Sequence, residues 1–312
     1  MIDISVIVVT YNSEWDKVKL TLTSIIKQKG VSLQIVVADD GSKEKFDDKI
    51  NQLMNSFEFT NFAIIDSPNN RGTVLNISNA LKYAKGEYTK TIAPGDYLYD
   101  ESTLSEWVEY MRKEGITVSF GDAIYYSEYN HMKVYQVKGS PANKEFYNKQ
   151  VSYSKQFIDY VVANDTILGA AQLMRTDMLK EYLKIIENRI VYAEDYMMRI
   201  MIYDGINICY YPQIVIWYEY GTGISTSQNS KWEKLLHEDF EASNEIILQR
   251  KAVGSIQKKY KKYLSYRDLK YLNKIIKVLY FPGMISCRLK MKFAKSYTQL
   301  GENIEIAKWI ES

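Results

Sequence analysis

Apolar positions in the first third of the chain fall into short unbroken runs separated by stretches of helical spacing. Residues 4–10 (ISVIVVT) and the Ile35-Val36-Val37-Ala38 run are rich in β-branched side chains and carry no polar alternation, the pattern of strands covered on both faces. Between them, Val18, Leu22, Ile25 and Ile26 recur at helical spacing within 18–29, so strand, helix and strand form a parallel crossover unit. The pattern continues with a helix over 46–57, a strand over 61–65, a loop at Asn69-Asn70-Arg71-Gly72 and a helix over 75–84 stopped by Gly86. A strand over 87–92, a helix over 104–113 and a short strand over 117–121 follow. From Asp122 the alternation of Ile124 and Tyr126 with Met132, Val134 and Val137 predicts an antiparallel hairpin, which makes the sheet mixed at this end.

Residues 139–157 are polar and aromatic with little periodicity and read as a mobile loop over the site. Gly169-Ala170-Ala171 allows close backbone approach; a strand over 172–174 and a helix over 176–186 come next. Glu194-Asp195 opens a helix over 196–203, strands over 206–211 and 214–220 flank Pro212, and residues 221–225 close the unit. Beyond Ser230 the spacing is helical throughout, which divides the chain into an α/β domain, 1–228, and a helical region, 229–312.

With 312 residues, 46% hydrophobic and 25% charged, the chain has enough apolar content for one large α/β domain and an appendage. No apolar run reaches the roughly eighteen residues that span a bilayer, and the first residues lack the basic region of a signal peptide, so a cytoplasmic protein is expected. Two distant cysteines, Cys209 and Cys287, read as reduced thiols, and two histidines, His131 and His237, exclude a His-rich metal site. The net charge of +2 conceals an asymmetry: residues 250–300 hold fourteen Lys or Arg against one acid, Asp268. Within that stretch Leu269, Leu272, Ile276 and Leu279 share one helical face, and Arg267, Lys270, Lys274 and Lys277 the opposite one. Residues 258–281 therefore suit either docking at the inner face of the plasma membrane or packing against the α/β domain or a second subunit with the lysines solvated. No nucleic-acid-binding motif accompanies the charge.

Acids close three of the predicted elements. Asp39 and Asp40 sit at a strand's carboxyl end, where open parallel sheets bind ligands, although Asp40 also suits a cap or turn. Asp96 lies on a tight turn set by Pro94 and Gly95 at the same edge. Glu194 and Asp195 stand at a helix start, where a carboxylate is held ionised; capping, with Asp195 paired to Arg199, is the competing account.

Seven segments, in order, resemble the family 2 inverting glycosyltransferases: residues 5–12 (SVIVVTYN), 37–42 (VADDGS), Asn70-Arg71-Gly72 with Asn76, 84–88 (AKGEY), Pro94-Gly95-Asp96, Glu194-Asp195 and Gly223-Ile224-Ser225. The resemblance covers roughly 3–227 and implies the GT-A nucleotide-diphospho-sugar transferase fold, a mixed, mainly parallel, Rossmann-like sheet, here with an α-helical C-terminal extension. It implies a UDP-sugar donor whose base and diphosphate are held by Thr10, Tyr11, Asn12, Asp39, Asp40, Arg71, Gly95 and Asp96, supported by Asn76. Asp96 is similar to the last acid of the family's metal motif and would ligate Mn²⁺ or Mg²⁺, although Ala93 and Gly95 stand where further acids are common. Asp195, supported by Glu194, corresponds to the general base. The implied acceptor is a growing polysaccharide or lipid-linked oligosaccharide of capsule or O-antigen type. A nucleotidyltransferase would need a glycine-rich loop after the first strand, which Thr10-Tyr11-Asn12-Ser13 does not supply; a non-catalytic partner subunit is the rival outside enzymes.

Overall fold

The computed structural model describes residues 2–127, 133–137, 141–221, 230–294, 297–302 and 309–310. Its strands and helices follow the order β1 (Ile2–Thr10), α1 (Trp15–Ile26), β2 (Leu33–Asp39), α2 (Asp47–Ser56), β3 (Phe62–Asp66), α3 (Thr73–Ala80), β4 (Gly86–Ile92), β5 (Tyr97–Leu98), α4 (Thr103–Glu114), β6 (Val118–Ser127) and β7 (Lys133–Val137). The second half holds α5 (Tyr153–Gln156), a π-helical turn (Phe157–Ala163), β8 (Gln172–Arg175), α6 (Thr176–Ile186), α7 (Met197–Asp204), β9 (Cys209–Glu219), α8 (Ser230–Gln249), α9 (Ser255–Leu264), α10 (Lys270–Tyr280), α11 (Gly283–Phe293) and β10 (Tyr297–Glu302).

The strands form one mixed sheet in the order β10-β7-β6-β8-β4-β1-β2-β3, with β9 alongside β6 and β5 paired to β9. In the parallel part, β4-β1-β2-β3, the apolar runs of β1 and β2 put them at the covered centre: successive residues face opposite layers, so both must be apolar. Ile4, Val6, Val8, Ile35 and Val37 pack with Val18, Leu22, Ile25, Leu53, Leu104 and Trp107 on one face. Ile7, Val36 and Ala38 pack on the other with Val74, Ile77, Leu179, Leu183 and Met198. Because β2 and β4 flank β1, the crossover direction reverses there and the carboxyl ends of β1 and β4 splay apart, the usual position for a ligand crevice.

Several expectations are modified. Pro212 does not split a strand: β9 runs through it, and its pairing with β6 absorbs the irregularity as register shifts around Asp122. The predicted strand over 117–121 extends to Ser127 and enters the expected hairpin with β7; Met132 lies outside the described residues, as do Gly139 and Gly223-Ile224-Ser225. The helix expected over 75–84 is Thr73–Ala80, and Gly86 begins β4 instead of ending the helix. The described part of 139–157 is no cover for the crevice. Tyr147 is fully buried edge-on against Phe120, and Tyr147 and Asn143 both hydrogen-bond the buried Asp159. The C-terminal region is not helical throughout, since β10 pairs antiparallel with β7. Its helices share a core with the sheet: Ile246, Ile247, Tyr260, Leu264, Phe281, Met284 and Cys287 pack in the cluster that holds Ile7 and Val36.

Candidate active site

At the end of β2 the two neighbouring acids part ways. Gly41 takes φ +80°, and a Cβ there would come within 2.6 Å of the Asn69 carbonyl carbon, so glycine lets the 69–72 loop close against the strand end. Asp40 secures that loop: its Oδ1 accepts the Arg71 N–H at 2.9 Å and its Oδ2 the Gly72 N–H at 2.8 Å. Burial raises the Asp40 pKa, with Asp39's charge adding to the rise and the two amides opposing it. Asp39 accepts from the Thr10 hydroxyl at 3.0 Å, the Gly41 and Ser42 N–H groups at 3.1 and 2.8 Å, the Ser42 hydroxyl and the Lys45 ammonium. Burial works against its charge, yet the Lys45 and Ser42 bonds prevail and hold its carboxyl below the ordinary value.

The turn after β4 presents Asp96. Its Oδ1 accepts the Glu219 N–H from the end of β9 at 3.0 Å, and among the described residues no donor reaches Oδ2. Burial carries its pKa to about 7, and the nearby Glu219 charge acts in the same sense against Lys90. Glu219 is brought in by Gly95, at φ +98°, where a Cβ would lie 2.1 Å from Glu219 Oε2; Lys17 holds the other oxygen at 2.7 Å. Behind the turn Lys90 is fully buried on β4; its ammonium donates to the Ala170 carbonyl, and burial lowers its pKa to about 7.

Glu194 and Asp195 form a single 3₁₀ turn ahead of α7. Asp239, buried on α8, holds the approach to that turn by accepting three consecutive amides, those of Val191, Tyr192 and Ala193, at 2.9, 2.8 and 2.9 Å. Burial raises both carboxyls of the pair: Glu194 the more, because the charge of Asp195 adds to it, while Asp195 is also pushed up by Asp239 and eased down by its own and Tyr196's amides. The helix start therefore does not dominate its ionisation as the sequence suggested; desolvation does. Arg199 is not its partner, since the guanidinium donates to Asn244 and the Tyr260 hydroxyl, both at 2.9 Å, and stacks 4.1 Å from the Phe240 ring centre.

All three ends open onto one cavity of about 500 Å³ whose lining includes Asp40, Asp96, Glu194, Asp195 and Glu219. Thr10, Tyr11 and Asn76 also line it, as expected; Asn76 donates to the Ala38 carbonyl at 2.9 Å and its Oδ1 is buried without a donor among the described residues. Four expected residues do not. Asp39 is consumed by the β2 turn; Asn12, at φ 47°, receives the Lys43 N–H; the Arg71 side chain is exposed while its backbone serves Asp40; Gly95 makes room for Glu219. The sequence reading missed Tyr192, which packs edge-on against Trp232 of α8 at 5.1 Å, together with Trp232, Leu236 and Glu219. Glu219 carried a legible signal, an acid ending an apolar strand as Asp39 and Asp40 do. The α8 residues had none, because their place is set by long-range packing.

The donor set fits a hard divalent ion. Asp96 and Glu219 both line the cavity, among the described residues one oxygen of Asp96 has no donor, and such ions accept one or two carboxylates with the remaining positions left to phosphate and water. Among the described residues no group of three or more His, Cys, Asp or Glu forms a complete protein cage.

The model of the family described as "Glycosyl transferase family 2" matches residues 5–183. A poly(ribitol-phosphate) beta-glucosyltransferase of Bacillus spizizenii is 26% identical over 195 residues, covering 62% of this chain but only 28% of that relative. Among solved structures, S. aureus TarS 1–349 in complex with UDP-GlcNAc superposes with a TM-score of 0.58 at 17% identity, over 91% of this chain and 81% of that one. The same fragment with UDP gives 0.56 at 18%, over 86% and 72%. The common architecture is the GT-A fold that the seven segments implied. With more than half its length matched, the chain belongs to glycosyl transferase family 2.

Proposed function

We propose that the chain transfers a hexose or N-acetylhexosamine from a UDP-sugar, with inversion, to a hydroxyl of a cell-envelope polysaccharide or lipid-linked oligosaccharide. The observation that carries this reading is the convergence of Asp40, Asp96 and Asp195, far apart in sequence, on one cavity at the β1/β4 switch point. UDP and UDP-GlcNAc in the TarS complexes, and the polymer acceptor in the name of the Bacillus relative, support the choice of nucleotide and acceptor class.

Tyr11, Asp40 and Tyr192 make the end of the cavity suited to a base, whose ring N–H would find an acceptor in Asp40. Asp96 and Glu219 would hold Mg²⁺ or Mn²⁺, which when bound offsets the charge that builds on the leaving diphosphate. Asp195 takes the proton of the acceptor hydroxyl as its oxygen attacks the anomeric carbon from the face opposite the diphosphate; a sugar–oxygen bond forms, the sugar–phosphate bond breaks, and configuration inverts. Raised basicity suits that role, and burial is its main cause. Calorimetry with a panel of nucleotide sugars, with and without Mn²⁺, tests the donor: UDP-sugars should bind best and gain from the ion. Failure of every nucleotide to bind would overturn the reading.

A further inference from the structure

The apolar face read from the sequence is largely turned outward in the fold. On α10, Lys277 points inward over the Tyr263 ring, 5.5 Å from its centre, while Leu272, Ile275, Val278 and Leu279 face solvent, Leu279 with 72% of its surface exposed. On α11, Met284 and Cys287 enter the core, and the stripe at i, i+4 and i+8 that remains outside is Ile285, Leu289 and Phe293, the last 77% exposed. Of the fourteen large apolar or aromatic side chains exposed among the described residues, eight fall between Leu269 and Phe293. Scattered exposed hydrophobes need no explanation, but a concentration of this kind marks a surface with a partner.

Charge selects among partners. Exposed Lys274, Arg288 and Lys292 lie on α10 and α11 and exposed Lys258, Lys259 and Lys262 on the preceding α9, within a segment, 250–300, that holds fourteen basic residues and one acid. A two-fold contact with a second copy would set this excess of positive charge against itself. An anionic lipid surface satisfies both features, taking the apolar stripes into its acyl boundary and the lysines at its headgroups. No helix of the described residues is long and apolar enough to cross a membrane, so the contact would lie in the interface plane.

We propose that α10 and α11 form an interfacial docking surface for anionic phospholipid. The inference is independent of the donor and of the chemistry in the cavity. Flotation of the full chain with vesicles of phosphatidylcholine alone, or mixed with phosphatidylglycerol, tests it. The wild type should float with the mixed vesicles only and be released as salt rises. The triple variant Leu272→Glu, Ile275→Glu, Leu279→Glu should bind more than about tenfold less while still binding UDP. Because each lysine near an anionic surface contributes about fivefold, the pair Lys274→Glu, Lys292→Glu should also lose at least about tenfold, which keeps the test open should the triple variant unfold. Equal flotation with neutral vesicles, no flotation of folded wild type, or a concentration-dependent dimer dissolved by the same substitutions would overturn the proposal, the last by assigning the surface to a second copy.

Discussion

The two ends of the cavity treat their acids in opposite ways. At the β2 end the oxygens of Asp39 and Asp40 are taken up by hydroxyl, ammonium and backbone donors; Asp39 titrates below its ordinary value, while Asp40, with backbone donors alone, is still raised by burial. At the other end Asp96, Glu194 and Asp195 are fully desolvated, the few amides that reach them do not offset that burial, and all three are raised. Satisfied acids build the turn that frames that end of the cavity. Acids kept short of donors are costly to the fold and are the ones available to a proton or a cation.

The sharpest test is Asp195→Asn, expected to lower turnover by about a hundredfold to ten-thousandfold while donor affinity by calorimetry is kept. Retained turnover would move the base elsewhere and break the contrast. Asp96→Ala should abolish the gain in UDP-sugar affinity that Mn²⁺ confers, about a hundredfold, and should leave thermal stability equal or higher because it removes a buried, under-donated carboxylate.

Asp39→Asn should do the reverse, costing about 2 kcal/mol in chemical denaturation with a small effect on the donor. Its stability contribution has a definite pH sign. The folded pKa is lowered, so the contribution is present above the unfolded value and is lost as pH falls through the folded one. Asp96, raised to about 7, has the opposite sign: it lowers stability as pH rises from 3.8 towards 7, and Asp96→Asn should flatten that slope.

The smallest effect concerns charge. Asp239→Asn keeps an oxygen for the Tyr192 and Ala193 amides, gives up the acceptor of Val191 and removes a negative charge that raises Asp195, so the acid limb of the kcat/KM profile should move to lower pH by a fraction of a unit. An unmoved limb would confine Asp239 to holding the turn.

What could be read beforehand follows the range of the forces involved. β1 and β2 were legible because a strand covered on both faces has no alternative to a nearly unbroken apolar run, and the acids that end β2 mark the sheet edge. The division of labour between Asp39 and Asp40 was not, because adjacent carboxylates on a strand face opposite sides and only the paired loop shows which side holds the cavity. Glu219 and Asp239 reach the site from 123 and 46 residues beyond the groups they bond, a separation that no local pattern encodes. Proline at 212 misled for a related reason: a bulge in the β6 register tolerates it where a regular ladder would not.

The three-amide grip of Asp239 also sets where the polypeptide can be cut. Removing everything after Ser230 would delete the carboxylate that pins 191–193, one wall of the crevice, and the Ile246 and Ile247 side chains that fill the sheet's underside. Chimeras that exchange segments between relatives should therefore transplant α8 together with the loop it restrains, since the 191–195 segment and its brace are held as one unit.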